Sequence, residues 1–340
     1  MKTAKKSSRK QRRKQTAIVI SVAVLIVGII IAVFVWNHQK TAQKKYADDS
    51  SVSSVKFDKE VISHNGKEYR YNEHLSNFLF MGIDTRNEVD SYETQTDVGQ
   101  ADSIFLVSLD RMTNQIKIVS IPRDTMTKIE VFNPSGKSLG ETTDHINIQY
   151  AYGDGRHKSC DLMRIAVSNL LGGIPIEGYC SLNMDGIPII TEIAGNIEVV
   201  VPDNSLAEVN PEFTEGASVT LTKDNVEQFV RYRDINQELS ALVRQNRQKV
   251  FLDAYLKKAQ ENYAKDASFV TKLYEGIKPY TVTSMGNDLF AKLLEASMGT
   301  DPVKVELPGK GEQGAYFDEY HVDEEGLQDM LVSIFYQEDN

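Results

Sequence analysis

The sequence predicts an α/β domain, layered α/β/α around a central mixed sheet and preceded by a single transmembrane helix. Three observations carry this reading. Short continuous apolar runs at 77–83, 103–109 and 115–121 have the length and the bounding polar turns of buried strands. Segments with apolar residues three and four apart, at 162–171, 247–259, 269–277, 289–297 and 324–335, alternate with further strand-like runs, which is the pattern of layered α/β domains. Ahead of both stands an uncharged stretch of 20 residues, 17–36, behind a dense basic tail.

With 340 residues and 41% hydrophobic content, the chain can bury one sizeable core. Its formal net charge of −10 is uneven. Eight of the 38 Lys and Arg fall in residues 1–15, which hold no acid, so the remainder carries 30 cations against 48 acids. A body this acidic lacks the cationic surface that binds a phosphate backbone, and no nucleic-acid partner is expected. As a helix, residues 17–36 would span roughly 30 Å, the thickness of a bilayer core. A cleaved signal peptide is the rival, but its apolar part is shorter and ends in small residues. Here the run ends in Phe34-Val35-Trp36-Asn37, and Trp36 suits a membrane interface. The basic cluster stays inside by the positive-inside rule, which places 37–340 outside the cytoplasm. The expected organisation is a cytoplasmic tail at 1–16, a signal anchor at 17–36, a stalk at 37–70, a core at 71–255, and C-terminal helices and a strand packing on the same domain at 256–340. The protein is expected to be a single-pass component of the cell membrane.

The stalk is polar, rich in Ser, Lys and Asp, with a short strand around 52–57. The run at 77–83 delivers Asp84 at its carboxyl end, and 87–100 reads as an acidic loop. Asp102 precedes the second strand, 110–114 is a hairpin-like connection, and the third strand ends in Pro122-Arg123-Asp124-Thr125. Charged residues just beyond core strands are where α/β folds build sites. Gly172-Gly173 terminates the helix of 162–171, and 179–184 and 197–201 are strands. Residues 186–193 form a helix with Pro188 in its first turn. Thr222 is the expected N-cap of a helix running through Val226 and Phe229 into the next stretch, and 303–307 is a strand. Cys160 and Cys180 both fall in the outer part. They form a disulfide, which is typically worth about 3 kcal/mol in an oxidising compartment, or remain two buried thiols. Two cysteines without a His cluster do not make a zinc site.

The most informative stretch is 230–248, which places four arginines in an acidic body. If 230–233 is extended, Arg231 and Arg233 share a face. If the pattern of Leu239, Leu242, Val243 and Val250 marks a helix, Arg244, Arg247 and Gln248 share one side of it. The two sets can then converge. A guanidinium presents planar forked donors that match phosphate oxygens and stays charged at any accessible pH. The competing reading is a solvated charge run paired with Asp234 and Glu238. His145 and His157 read as surface or loop residues, and Tyr150 and Tyr152 either line a site or pack.

These pieces resemble the LytR-CpsA-Psr family of bacterial cell-envelope proteins. The resemblance rests on the basic tail and single span, FLFMGIDTR (78–86), ADSIFLVSLD (101–110), IKIVSIPRDT (116–125), INIQYAYGDG (146–155), VRYR (230–233) and RQNRQ (244–248), in that order and spacing. It implies a phosphotransferase that moves a polyisoprenyl-pyrophosphate-linked anionic glycopolymer, of the teichoic-acid or capsule kind, onto peptidoglycan. It also implies an apolar channel for the lipid. By position, Arg123, Arg231, Arg233, Arg244 and Gln248 would grip the pyrophosphate, and Asp84 and Asp102 would hold magnesium or manganese. Asp124 or Asp84 would take the acceptor proton, unless Asp124 is tied to an arginine as a structural pair. The chain departs from the family pattern where it has Gln100 in place of a common Arg, and where Leu239-Ser240-Ala241 lacks a common acid. Those departures keep open an alternative, a non-catalytic polyprenyl-phosphate binder or assembly protein. A transcriptional role finds no support, since a tail of 16 residues cannot fold into a DNA-reading module.

Overall fold

The apolar runs form a single mixed sheet, and the charged residues that follow them gather along one of its edges. The computed structural model describes residues 60–91, 98–234, 237–266, 268–285, 296 and 302–339. The basic tail, the apolar run 17–36, the expected strand at 52–57 and most of the expected helix at 289–297 lie outside the described residues. No helix among the described residues is long and apolar enough to cross a membrane.

A hairpin of β1 (Val61–His64) and β2 (Lys67–Tyr71) opens the domain, within residues that the sequence assigns to the stalk. The central strands follow: β3 (Leu75–Ile83), β4 (Ala101–Asp110) and β5 (Ile116–Ile121). Asp110 Oδ1 accepts the backbone N–H of Met112 at 2.8 Å and of Thr113 at 3.1 Å, closing the tight connection between β4 and β5. A second hairpin, β6 (Met126–Phe132) and β7 (Ser138–His145), precedes helix α1 (His157–Leu170), which starts five residues before its expected position. Then come β8 (Gly178–Asn183), α2 (Gly186–Ala194), β9 (Ile197–Val200), β10 (Ser218–Leu221) and α3 (Val226–Arg231). A long helix α4 (Ser240–Lys265) and α5 (Ser268–Ile277) follow. The chain closes with β11 (Thr281–Thr283), β12 (Val303–Glu306), β13 (Gly309–Gln313), β14 (Asp318–Val322), α6 (Glu324–Phe335) and β15 (Tyr336–Glu338). Strand β15 pairs with β2 and ties the end of the chain to the start of the domain.

The sheet order is β11-β8-β3-β4-β5-β12, with β3 parallel to β8, β5 parallel to β12, and the other pairs antiparallel. The carboxyl ends of β3, β5, β8 and β12 and the amino end of β4 therefore share one edge. Each face has its own core because side chains alternate along a strand. Phe78, Phe80, Phe105 and Val107 pack with residues of α2, α3, α4 and α5. Leu79, Met81, Ile104 and Leu106 pack with residues of α1 and α6 on the other side.

That alternation decides the cysteines against a disulfide. Cys160, on α1, lies in the second core; Cys180, on β8, points into the first. Both are free, fully buried thiols, and burial pushes Cys160 up to about 12. One further expectation needs correction: Asn225, not Thr222, stands at the cap of α3. The helix itself runs into the arginine stretch as expected and ends at Arg231. In the folded protein neither thiol is expected to react with Ellman's reagent, whereas denaturation without reductant should release two equivalents; a disulfide would release none.

Candidate active site at the sheet edge

A β-bulge sets the centre of the site. Gly82 pairs with Ser103 but Ile83 pairs with Ala101, so Asp102 is the extra residue and is turned out of the ladder. Its carboxylate is mostly buried and bridges two arginines. Oδ1 accepts from Arg123 Nη1, and Oδ2 accepts from Arg244 Nη1 at 2.8 Å. Asp84, directly after β3, donates its backbone N–H to Gln100 O at 3.0 Å and accepts the Gln100 N–H through Oδ1. A Cβ at Gly99, where φ is +71°, would lie 2.8 Å from Asp84 Oδ1, so the carboxylate rests where only glycine leaves room.

Arg123 leaves the end of β5 through Pro122. Its Nε donates to Asp124 Oδ1 at 3.1 Å, and its Nη2 lies 3.5 Å from Gln100 Oε1. Asn147, which sequence reasoning did not single out, donates to the same Gln100 oxygen at 3.0 Å. Gln100 thus supports Arg123, which is what stands here in place of another cation. Burial pushes Arg123 below its ordinary value and Arg244 down to about 10, with Arg233 adding to the strain on Arg244. Arg244 is 6% exposed, and its Nε has no hydrogen-bond partner among the described residues. A buried, charged donor with no acceptor is costly to leave unmade, and here it marks where an anion fits.

Of the two readings offered for the start of the arginine stretch, helix and extended segment, the helix holds as far as Arg231. Val230 and Arg231 belong to α3, and Arg231 is exposed at a helix end, with Nη1 3.0 Å from Glu227 Oε1. Glu227 also accepts from Arg86, which pairs with Asp185 at 2.8 Å. Arg233 lies beyond the helix and has no hydrogen bond or ion pair among the described residues, yet stands close enough to Arg123 and Arg244 to oppose their charge. Arg244 and Arg247, three residues apart, have separate roles. Arg247 is 1% exposed, donating to Phe229 O at 3.0 Å, to Tyr232 O and to Ser205 Oγ. It caps the last carbonyls of α3 and so aims the segment that carries Arg231 and Arg233. Gln248 has both amide ends engaged, accepting from Ser103 Oγ at 2.8 Å and donating to Val230 O at 3.2 Å, so it braces β4 against α3.

Two hollows meet at this arginine bridge. One is an apolar cavity of about 90 Å³ that opens to solvent at its mouth, walled by Phe80, Phe105, Leu182, Ile190, Phe251 and Leu252 and ending at Asp102, Arg231, Arg244 and Gln248. Protein cores pack without such voids, so an apolar hollow ending at guanidiniums has the form of a site for an apolar chain with an anionic head. The other is a broad polar cleft lined by Gln100, Arg123, Asp124, Asn147 and Arg233, among others. Tyr150 packs, its hydroxyl donating to Gly155 O at 3.0 Å, and Tyr152 lies against Phe132. His157 contacts Tyr179 Oη at 2.9 Å. His145 stands at the cleft wall between Asp144 and the backbone of Asp318.

A sequence profile of the LytR_cpsA_psr family matches residues 32–333. The chain belongs to that family. It is 32% identical over 180 residues to the polyisoprenyl-teichoic acid–peptidoglycan teichoic acid transferase TagU of Bacillus anthracis, a match covering 53% of this chain and 51% of that protein. The chain thus spans about half the length of that relative. Against TagU of Bacillus mycoides it is 28% identical over 239 residues, 70% of each chain. In fold it is similar to a Streptococcus agalactiae protein, with a TM-score of 0.62 and 20% identity over 78% of this chain and 90% of that one. It is likewise similar to TagT bound to LI-WTA, with a TM-score of 0.57 and 18% identity over 77% and 90%. LytR-CpsA-Psr membership and the shared fold agree with the mixed sheet and its two covered faces.

Replacing Arg247 with Ala would strand one buried and two part-buried acceptors and is expected to cost about 2–4 kcal/mol in urea unfolding. Replacing Arg233, which satisfies none among the described residues, should change stability by less than about 0.5 kcal/mol.

Proposed function

We propose that this LytR-CpsA-Psr protein is a membrane-anchored phosphotransferase that joins a polyisoprenyl-pyrophosphate-linked anionic glycopolymer to peptidoglycan outside the cytoplasm. The observation that carries the reading is the apolar cavity that ends at Arg244, a buried guanidinium whose Nε has no partner among the described residues. The names of the TagU relatives support the substrate class. Residues 17–36 would hold the domain at the membrane, where the lipid-linked donor resides.

In this reading the isoprenyl chain lies in the cavity and its pyrophosphate meets Arg123, Arg231, Arg233 and Arg244. The anion offers those arginines the counter-charge that Asp102 supplies without it. Phosphoryl transfer depends on positioning and on neutralising the non-bridging oxygens, which fixed guanidiniums do without reorganisation. Asp124, 8% exposed on the floor of the polar cleft, takes the proton as the acceptor hydroxyl attacks phosphorus. A new P–O bond forms to the acceptor, the P–O bond to the lipid phosphate breaks, and polyprenyl phosphate leaves. Asp84, just beyond β3, and Asp102, on β4, are oxygen donors of the kind that suit magnesium or manganese, which take one or two carboxylates and complete their shell with phosphate oxygens and water. When bound, such an ion would neutralise charge developing on the pyrophosphate. The donor set is sparse, since no group of three or more acidic, His or Cys ligands occurs among the described residues.

The test is transfer of a lipid-pyrophosphate glycan to peptidoglycan by the full chain in detergent with magnesium. Arg244→Ala and Arg233→Ala should each lower the rate by about 10²-fold or more. Chelation should abolish transfer and added magnesium restore it. Lipid binding that persists in wild type without any transfer would instead establish the non-catalytic binder, a reading favoured by Asp102 being held by two arginines.

A further inference from the structure

The polar cleft has features that the lipid half of the site does not use. It has a volume of about 690 Å³ and shares no lining residue with the apolar cavity. Its outer rim is the turn between β13 and β14, where Tyr316 is 91% exposed and Phe317 is 72% exposed. Aromatic side chains usually bury much of their surface, so two adjacent rings presented at the mouth of a cleft call for a ligand.

The rim is anchored to the catalytic floor. Tyr320 N donates to Asp124 O at 2.8 Å, and Thr125 forms a bridge with Tyr320. Gly314 N donates to Phe317 O at 2.9 Å, and a Cβ at Gly314 would come within 2.5 Å of that oxygen, so the turn depends on glycine. His145 Nε2 lies 2.9 Å from Asp318 O, and its ring meets Phe317 edge-on at 6.3 Å and 86°. These contacts tie the backbone of the turn to the strand that carries Asp124 and set Phe317 against His145, with Tyr316 presented beside it.

Charge and reaction geometry select the occupant. Asp144, Glu238, Asp318 and Glu319 line the cleft together with Asp124, against Arg123 and Arg233. An excess of carboxylates repels a polyanionic donor chain but offers acceptors to the hydroxyl and amide N–H groups of a neutral sugar. In-line displacement adds a direction. If the lipid phosphate departs toward the apolar cavity, the attacking hydroxyl enters from across the Arg123–Asp102–Arg244 bridge, where the cleft lies. The apolar C–H face of a pyranose ring then meets the electron-rich faces of Tyr316 and Phe317.

We infer that Tyr316 and Phe317 form a stacking platform for the acceptor, a neutral N-acetylated glycan of the peptidoglycan type. The inference rests on the transferase reading above for the identity of the acceptor, and glycan binding tests it separately from transfer. The full chain in detergent is sedimented with peptidoglycan sacculi stripped of teichoic acid, with chitotetraose as competitor. Wild type should co-sediment, and the Tyr316→Ala/Phe317→Ala double variant should bind roughly tenfold more weakly. Tyr316→Trp, which keeps a ring, should retain binding. In the transfer assay the double variant should raise the acceptor KM by a similar factor and leave the donor KM unchanged. Equal sedimentation of wild type and double variant, or a rise in donor KM in place of acceptor KM, overturns the platform. A wild type that sediments but transfers nothing removes the transferase reading and leaves the glycan platform in place.

Discussion

The site depends on one carboxylate shared between two arginines. Arg123 and Arg244 sit in low-dielectric surroundings close to Arg233, an arrangement that repels itself. Asp102 gives one oxygen to each of the first two, and it can do so because a bulge rotates it out of the β3–β4 ladder. The compensation is incomplete, since Arg244 Nε is left without an acceptor and Arg233 has no carboxylate partner among the described residues. A multiply charged anion is the natural complement to such a cluster, and an uncharged ligand is not.

Around that bridge, helix α4 divides its polar residues between recognition and support. Arg244 faces the place where both hollows meet, while Arg247, almost one turn later, spends its donors on Phe229, Tyr232 and Ser205. Gln248 braces the same corner against Ser103. Burying a guanidinium is expensive unless its donors are satisfied, so the full set at Arg247 and the incomplete set at Arg244 identify which holds the fold and which awaits a ligand. The neighbouring apolar cavity has the same logic in hydrophobic terms: Phe80, Phe105 and Phe251 of the first core also line the hollow beside the cluster.

Much of the scaffold was legible in the chain because local pattern governs it. The runs at 77–83, 103–109 and 115–121 became central strands, and the helix at 324–335 matched its expected bounds. Asp84, Arg123 and Asp124 could be singled out because strand ends converge on one sheet edge. At 230–233 local pattern left a helix and an extended segment both open; the helical spacing of Val226, Phe229 and Val230 prevails as far as Arg231, where Arg247 caps the carbonyls. Asn147, Ser103 and the Tyr316–Phe317 rim gave little signal, because each matters only through a neighbour far away in the chain.

Composition, periodicity and the order of short motifs thus determined the fold class, the family and the kinds of residue from which the site is made. Tertiary structure alone decided how those residues divide their work. It separated Cys160 from Cys180 onto opposite faces, joined Asp102 to Arg244 across 142 positions of sequence, and distinguished a satisfied arginine from an unsatisfied one. The reason is physical: burial and hydrogen-bond satisfaction are properties of a side chain's surroundings, and a linear pattern records only its neighbours along the chain.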